Sequence, residues 1–191
     1  MSRSDRRRRP ANRAGCPLPR SCAPVWVVEP LIVRSLIGVS RTIVGFVVDE
    51  LGDWAVLLEC GHRQHVRHRP PFRVAPWIEN ATERERHIGR TLDCPLCDRC
   101  EVPAGLTVVR TTPTWDQRTM PPALRRAHRV ASGTWGRLRV ESGALRFVAR
   151  TEPVTDVVVG SGAAHGIPPD VEHYVEPLGS ARFAIDFLGS G

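Results

Sequence analysis

Cys60-Gly61-His62 and, about thirty residues later, Cys94-Pro95-Leu96-Cys97 constrain this chain more than any other feature. Two short turns of soft ligands at such a separation can close a tetrahedral zinc site of three thiolates and one imidazole. Cys-x-x-Cys puts two sulfurs on one tight turn, Pro95 stiffens that turn, and Gly61 lets the first one bend sharply. A segment of this size has a marginal core, so ligation of a structural zinc would supply much of its folding free energy. The candidate metal ligands are therefore Cys60, His62, Cys94 and Cys97. His62 ranks first among the histidines because it is nearest to Cys60. His65 and His68 follow at intervals of three, and Cys100 repeats the C-x-x-C spacing, so each remains an alternative fourth ligand.

Length and charge narrow the classes further. With 191 residues the chain makes one medium domain or two small ones. Its six cysteines, two of them in the first 22 residues, suit metal binding in a reducing compartment better than a disulfide framework. The net charge of +7 suggests a polyanion partner, but the excess is local. Residues 1–41 carry nine Arg against Asp5 and Glu29, whereas the remainder is close to neutral. Nucleic acid is thus an unfavoured partner for the globular part, and the basic start reads as a solvated tail. The longest apolar run, Val25 to Arg34, is interrupted by Glu29 and Pro30. It is too short for a membrane span and too far from Met1 for a signal peptide. The expectation is a cytoplasmic protein with no membrane partner.

Periodicity and turn residues give the organisation. Residues 1–40 read as a disordered basic tail, 41–102 as a zinc-binding domain, 103–112 as a linker leading into a strand, and 113–191 as a second domain. Thr42 to Val48 and Trp54 to Glu59 predict a hairpin that delivers Cys60 to a strand end. Asn80 to Ile88 predicts a helix, with Thr82 and Glu85 in the form of a capping box and Gly89 as its stop. Met120 to His128 reads as a short helix. After it come short strands at Gly136–Val140, Ala144–Ala149, Val154–Val159, His173–Glu176 and Arg182–Leu188, separated by Gly and Pro. That spacing predicts an all-β barrel or sandwich. The fold class expected is mainly β: a small zinc-ribbon-like α+β domain followed by a cupin-like β-barrel or sandwich.

Two resemblances follow from particular residues. Val44-Gly45-Phe46, Gly52-Asp53-Trp54, the run from Cys60 through His65-Val66-Arg67-His68 to Pro70-Pro71, Trp77 and Cys94-x-x-Cys97-Asp98 resemble an uncharacterised bacterial domain family with the signature CGHxQHVRHxPP then CxxCD. That resemblance supports the first domain and carries no activity. Leu124 to His128, Gly133-Thr134-Trp135-Gly136, Gly143, Ile167-Pro168-Pro169, His173 and Phe183-x-x-Asp186-Phe187 resemble the TehB/YeaR-like family, linked by name to tellurite resistance. It implies a cupin-like ligand pocket of His128, Trp135, His173 and Asp186, with His165 as a further neighbour. The His-x-His and Glu of a working metallo-cupin are missing. No Gly-rich loop of the dinucleotide type follows a strand, so methyl transfer is not inherited.

The leading expectation is a two-module protein binding zinc and a small molecule or oxyanion, with a stress or tellurite-resistance-type role. One alternative is a metal-dependent cupin enzyme with a second metal on His128 and His173. The other is a nucleic-acid-binding zinc ribbon. Arg67, Arg69 and the neighbouring imidazoles could grip an oxyanion, and Trp54 and Trp77 could stack on a base. The plainer reading has the histidines ordering a loop and the tryptophans filling the core.

Overall fold

A computed structural model of the chain describes residues 38–66 and 75–190. Most of the expected tail, together with Arg67, His68, Arg69, Pro70 and Pro71, lies outside the described residues. The described part is mainly β. No described helix is long and apolar enough to cross a membrane.

The first segment is a four-stranded antiparallel sheet in the order β3-β2-β1-β4. β1 (Ser40–Val48) and β2 (Trp54–Leu58) form the hairpin, β3 (Arg63–His65) returns beside β2, and β4 (Thr91–Asp93) pairs the start of β1. The hairpin turn is held by Asp49, whose carboxylate accepts from the backbone amides of Leu51 and Asp53. Helix α1 (Ala81–His87) begins at Asn80, whose side chain accepts from the Glu83 amide. The expected cap at Thr82 is corrected: the asparagine two residues earlier satisfies a free amide, and Thr82 already lies inside the helix. The short helix α2 (Pro95–Asp98) follows the second cysteine turn, with Pro95 at its first position.

The second segment is a sandwich. One sheet has the order β10-β7-β12-β5, with β6 also on β12; the other is β11-β8-β9. The strands are β5 (Thr107–Thr111), β6 (Trp115–Asp116), β7 (Trp135–Ser142), β8 (Ala144–Ala149), β9 (Thr155–Gly160), β10 (Ala164–Ile167), β11 (His173–Pro177) and β12 (Arg182–Gly189). β5 falls within the stretch expected as linker and first strand. The short helix expected over Met120 to His128 is a 3-10 turn at Pro122–Arg125.

The alternation of β7 and β12 decides what each half contributes. Leu138 and Val140 on β7, with Phe183 and Ile185 on β12, face inward and pack on Leu145, Phe147 and Val175 of the other sheet. Trp135 and Leu188, which pair across these strands, face the opposite way. They share a second core with Ile43, Val56, Leu58, Ile78 and the three cysteines of the first segment. The outer face of one sheet is thereby the floor of the cysteine segment. Gly166 of β10 marks the tightest approach: a Cβ there would lie 2.0 Å from the Cys100 carbonyl oxygen, so only glycine lets the segments meet.

Candidate metal centre and β pocket

Cys60 ends the turn after β2, with Gly61 at φ +88, a conformation that costs a residue with Cβ. The turn is closed by the Gly61 amide donating to Leu58 and the Leu58 amide to His62. On the other side β4 leads into Cys94, and the first turn of α2 carries Cys97. Cys60, His62, Cys94 and Cys97 are all buried, and their donor atoms lie within 4.8 Å of one another. The structure brings together the four residues expected from sequence, and they could hold a metal ion.

The edges of this cluster test the fit to zinc. Bonds of about 2.3 Å to sulfur and about 2.0 Å to nitrogen set tetrahedron edges of about 3.8 Å between sulfurs and about 3.5 Å between sulfur and nitrogen. Cys60 Sγ and Cys94 Sγ are 3.9 Å apart. His62 Nδ1 lies 3.5, 3.3 and 3.7 Å from the sulfurs of Cys60, Cys94 and Cys97. Nδ1 is therefore the donor atom, and Nε2 is buried without a partner. The imidazole stands edge-on to Trp135, with centroids 5.4 Å apart. Trp135 Nε1 donates to the Cys60 carbonyl at 2.8 Å, fixing the turn from beneath.

The protonation chemistry points the same way. Burial disfavours a charged His62, but the sulfurs of Cys60 and Cys94 outweigh it and lift the imidazole to about 9. Hydrogen bonding with Cys60 drives the Cys94 thiol far below its ordinary range, and the same neighbour drives Cys97 far above it. One thiolate forms readily and a second is opposed, as expected for crowded sulfurs that need a cation to ionise together. Arg41, also buried, donates from Nε to Cys97 Sγ at 3.4 Å and from Nη2 to the Pro169 carbonyl at 2.6 Å. Three thiolates, a neutral imidazole and Zn2+ sum to one negative charge, which this guanidinium would balance.

The alternative ligands go elsewhere. His65 Nε2 is 3.4 Å from Asp49 on the hairpin. Cys100 turns away through φ +55 and donates to Thr155 Oγ1 at 3.8 Å; burial pushes its thiol up to about 11. Trp77 is stacked on His87 at 3.8 Å, and Arg84 covers Trp54 at 3.7 Å, so both indoles are engaged within the chain.

Of the four expected pocket residues, His128 and His173 come together and Trp135 and Asp186 do not join them. The two imidazoles sit 4.2 Å apart, tilted by 56°, and line a cavity of about 510 Å³. Reciprocal backbone bonds of 3.0 and 2.9 Å between the same two residues fix their register. Burial holds His173 down to about 4. Trp135 and Asp186 are corrected by strand parity: both lie on the outer face of their sheet. Trp135 supports the metal site, and Asp186 pairs with Arg139 at 2.9 Å and Arg137 at 3.0 Å. Burial opposes ionisation of Asp186, yet these guanidinia and Thr111 hold its carboxyl below the usual range. His165 packs on Phe147 at 4.8 Å and does not line the cavity. Arg110 lies at the cavity over the Phe187 ring, 4.4 Å from its centroid. Sequence reading missed it; its place on β5 opposite Phe187 is visible only once β5 and β12 are paired.

Comparison with known proteins matches both halves. Residues 44–101 match the family described as Protein of unknown function (DUF3565), and residues 110–185 match the TehB-like domain. No curated protein matches the chain. A crystal structure of a protein from E. coli (strain K12) is 22% identical, with 48% of this chain and 88% of that one covered and a TM-score of 0.44. TehB from Haemophilus influenzae is 26% identical over 46% of this chain, with a TM-score of 0.41, and the match spans 32% of that protein. FeII HppE is 17% identical, with 39% of this chain and 40% of that one covered and a TM-score of 0.32.

Proposed function

We propose that this chain, which carries a DUF3565 segment followed by a TehB-like domain, is a cytoplasmic small-molecule-binding protein held together by a structural zinc. The observation that carries the reading is the cluster of Cys60, His62, Cys94 and Cys97, in which the Cys60–Cys94 sulfur edge and the three edges from His62 Nδ1 are close to those of a zinc tetrahedron. A four-ligand site leaves no open position for substrate, so the ion's role is to fix the turns and the sheet beneath them. The ligand-binding role falls to the cavity at His128 and His173. The TehB-like match supports a place in a stress or tellurite-type response, with the bound species a small molecule or an oxyanion.

Metal analysis of the purified chain tests the first half of this. One zinc per chain, lost in Cys94→Ser, and a melting temperature that falls in chelator are expected. A metal-free protein with stability indifferent to chelator refutes the reading.

A second reading, a metal-dependent enzyme, is favoured only by the closeness of the two imidazoles. It requires a second metal equivalent that disappears in the His128→Ala, His173→Ala double variant. A nucleic-acid-binding role requires salt-sensitive binding that persists when residues 1–40 are deleted.

A further inference from the structure

We propose that the cavity at His128 and His173 selects a hydroxyaryl carboxylate, an aromatic acid whose uncharged hydroxyl donates to the imidazole pair while its carboxylate pairs with Arg110. The proposal rests on the small-molecule reading of this cavity and names the class of ligand.

The imidazoles set the first requirement. His173 Nδ1 is 2.8 Å from the Val171 carbonyl, and His128 Nδ1 is 2.9 Å from the Arg126 carbonyl. A carbonyl oxygen only accepts, so Nδ1 carries a proton in both rings, and in the neutral His173 ring Nε2 is left as an acceptor. Such an acceptor, beside the second imidazole 4.2 Å away, attracts an O–H or N–H and repels the oxygens of an anion. Burial keeps His173 neutral at physiological pH, so it offers no charge to an oxyanion either. A metal ion would find two nitrogens here and no cysteine, carboxylate or further histidine among the lining residues, fewer than the three protein ligands of an open zinc site.

The walls set the second requirement. Leu124, Val130, Ile167, Ile185 and Phe187 make the lining apolar, which suits a ring or other flat hydrocarbon body. The volume of about 510 Å³ lies within the range of ligand sites and accommodates one such molecule.

The cations set the third. Arg129 is paired with Glu172 at 3.6 Å. Arg110 is held only by the Phe187 ring and has no carboxylate partner among the described residues. A guanidinium fixed over an aromatic wall, with its hydrogen-bonding edge unpaired, takes a carboxylate in bidentate geometry.

Calorimetric titration of the full zinc-loaded chain with 4-hydroxyphenylacetate, phenylacetate and 2-(4-hydroxyphenyl)ethanol tests this. The hydroxy acid is expected to bind 1:1, and loss of either its hydroxyl or its carboxylate to weaken binding at least about ten-fold. Arg110→Gln is expected to weaken the two acids by a similar factor and to leave the alcohol unchanged. Phenylacetate binding as tightly as its hydroxy analogue, or Arg110→Gln without effect, overturns the proposal. Inorganic phosphate or tellurite binding at the imidazoles, read by loss in His128→Gln, overturns this ligand class and leaves the cavity as a binding site. Failure of all these probes overturns both.

Discussion

Replacing Arg41 by methionine should loosen the grip on zinc without touching a ligand. The guanidinium is buried between Cys97 Sγ at 3.4 Å and the Pro169 carbonyl at 2.6 Å. At 3.4 Å a unit charge pair in a partly screened interior is worth about 5 kcal/mol. The negative charge is shared by three sulfurs, so about half of that, roughly 2–3 kcal/mol, is a fair expectation for the lost balance. Such a loss corresponds to about a 30–150-fold weaker metal site. The Pro169 carbonyl also loses its donor, which adds about 1 kcal/mol or more to the destabilisation. Competition with a zinc chelator, read for the wild type, Arg41→Met and Arg41→Lys, measures the first effect. Lysine keeps the charge but cannot span both acceptors, so it should recover zinc affinity more than stability. If Arg41→Met holds zinc as tightly as the wild type, the charge-balance argument is wrong.

Other expectations follow from the same contacts. Gly166→Ala forces a Cβ to within 2.0 Å of the Cys100 carbonyl and should cost about 1–3 kcal/mol, seen as a fall in the denaturation midpoint. Burial holds His173 down to about 4 in the folded chain, below the ordinary 6.5 of an imidazole, so the unfolded chain binds more protons between those values. Stability should therefore be full above about pH 7 and fall by roughly 3 kcal/mol on the way to pH 4. His173→Gln should lack that component in acid denaturation curves, and an unchanged curve counts against a neutral buried imidazole. Trp135→Phe removes the donor to the Cys60 carbonyl and should weaken zinc retention, measured by release to chelator, while the cavity at His128 stays intact.

The clustering of the four candidate ligands was legible because their chemistry is local: Cys60 and His62 lie on one turn, and Cys94 and Cys97 on another. Choosing His62 over His65 or Cys100 from spacing alone left alternatives open. The structure resolves two of them through the Asp49 partner of His65 and the left-handed turn at Cys100. The pocket was half legible. His128 and His173 carry a recognisable residue pattern, but Trp135 and Asp186 were assigned by motif when strand parity decides which face they occupy. Trp135 has the parity of Arg137 and Arg139, opposite to that of Leu138 and Val140, and this could have been counted in the sequence. Arg41 and Arg110 could not have been found that way. Each acts across a long sequence separation, on Pro169 and Phe187 respectively.

The shared floor beneath the cysteine turns has a consequence for dissection of the protein. Expressed alone, the C-terminal sandwich would present the Trp135 indole and Leu188 to water, a sticky flank on an otherwise tidy sheet. The N-terminal fragment would lose the bond that steadies Cys60 and the oxygen that anchors Arg41. Each half completes the other, so severing them yields two poorer proteins rather than two working parts.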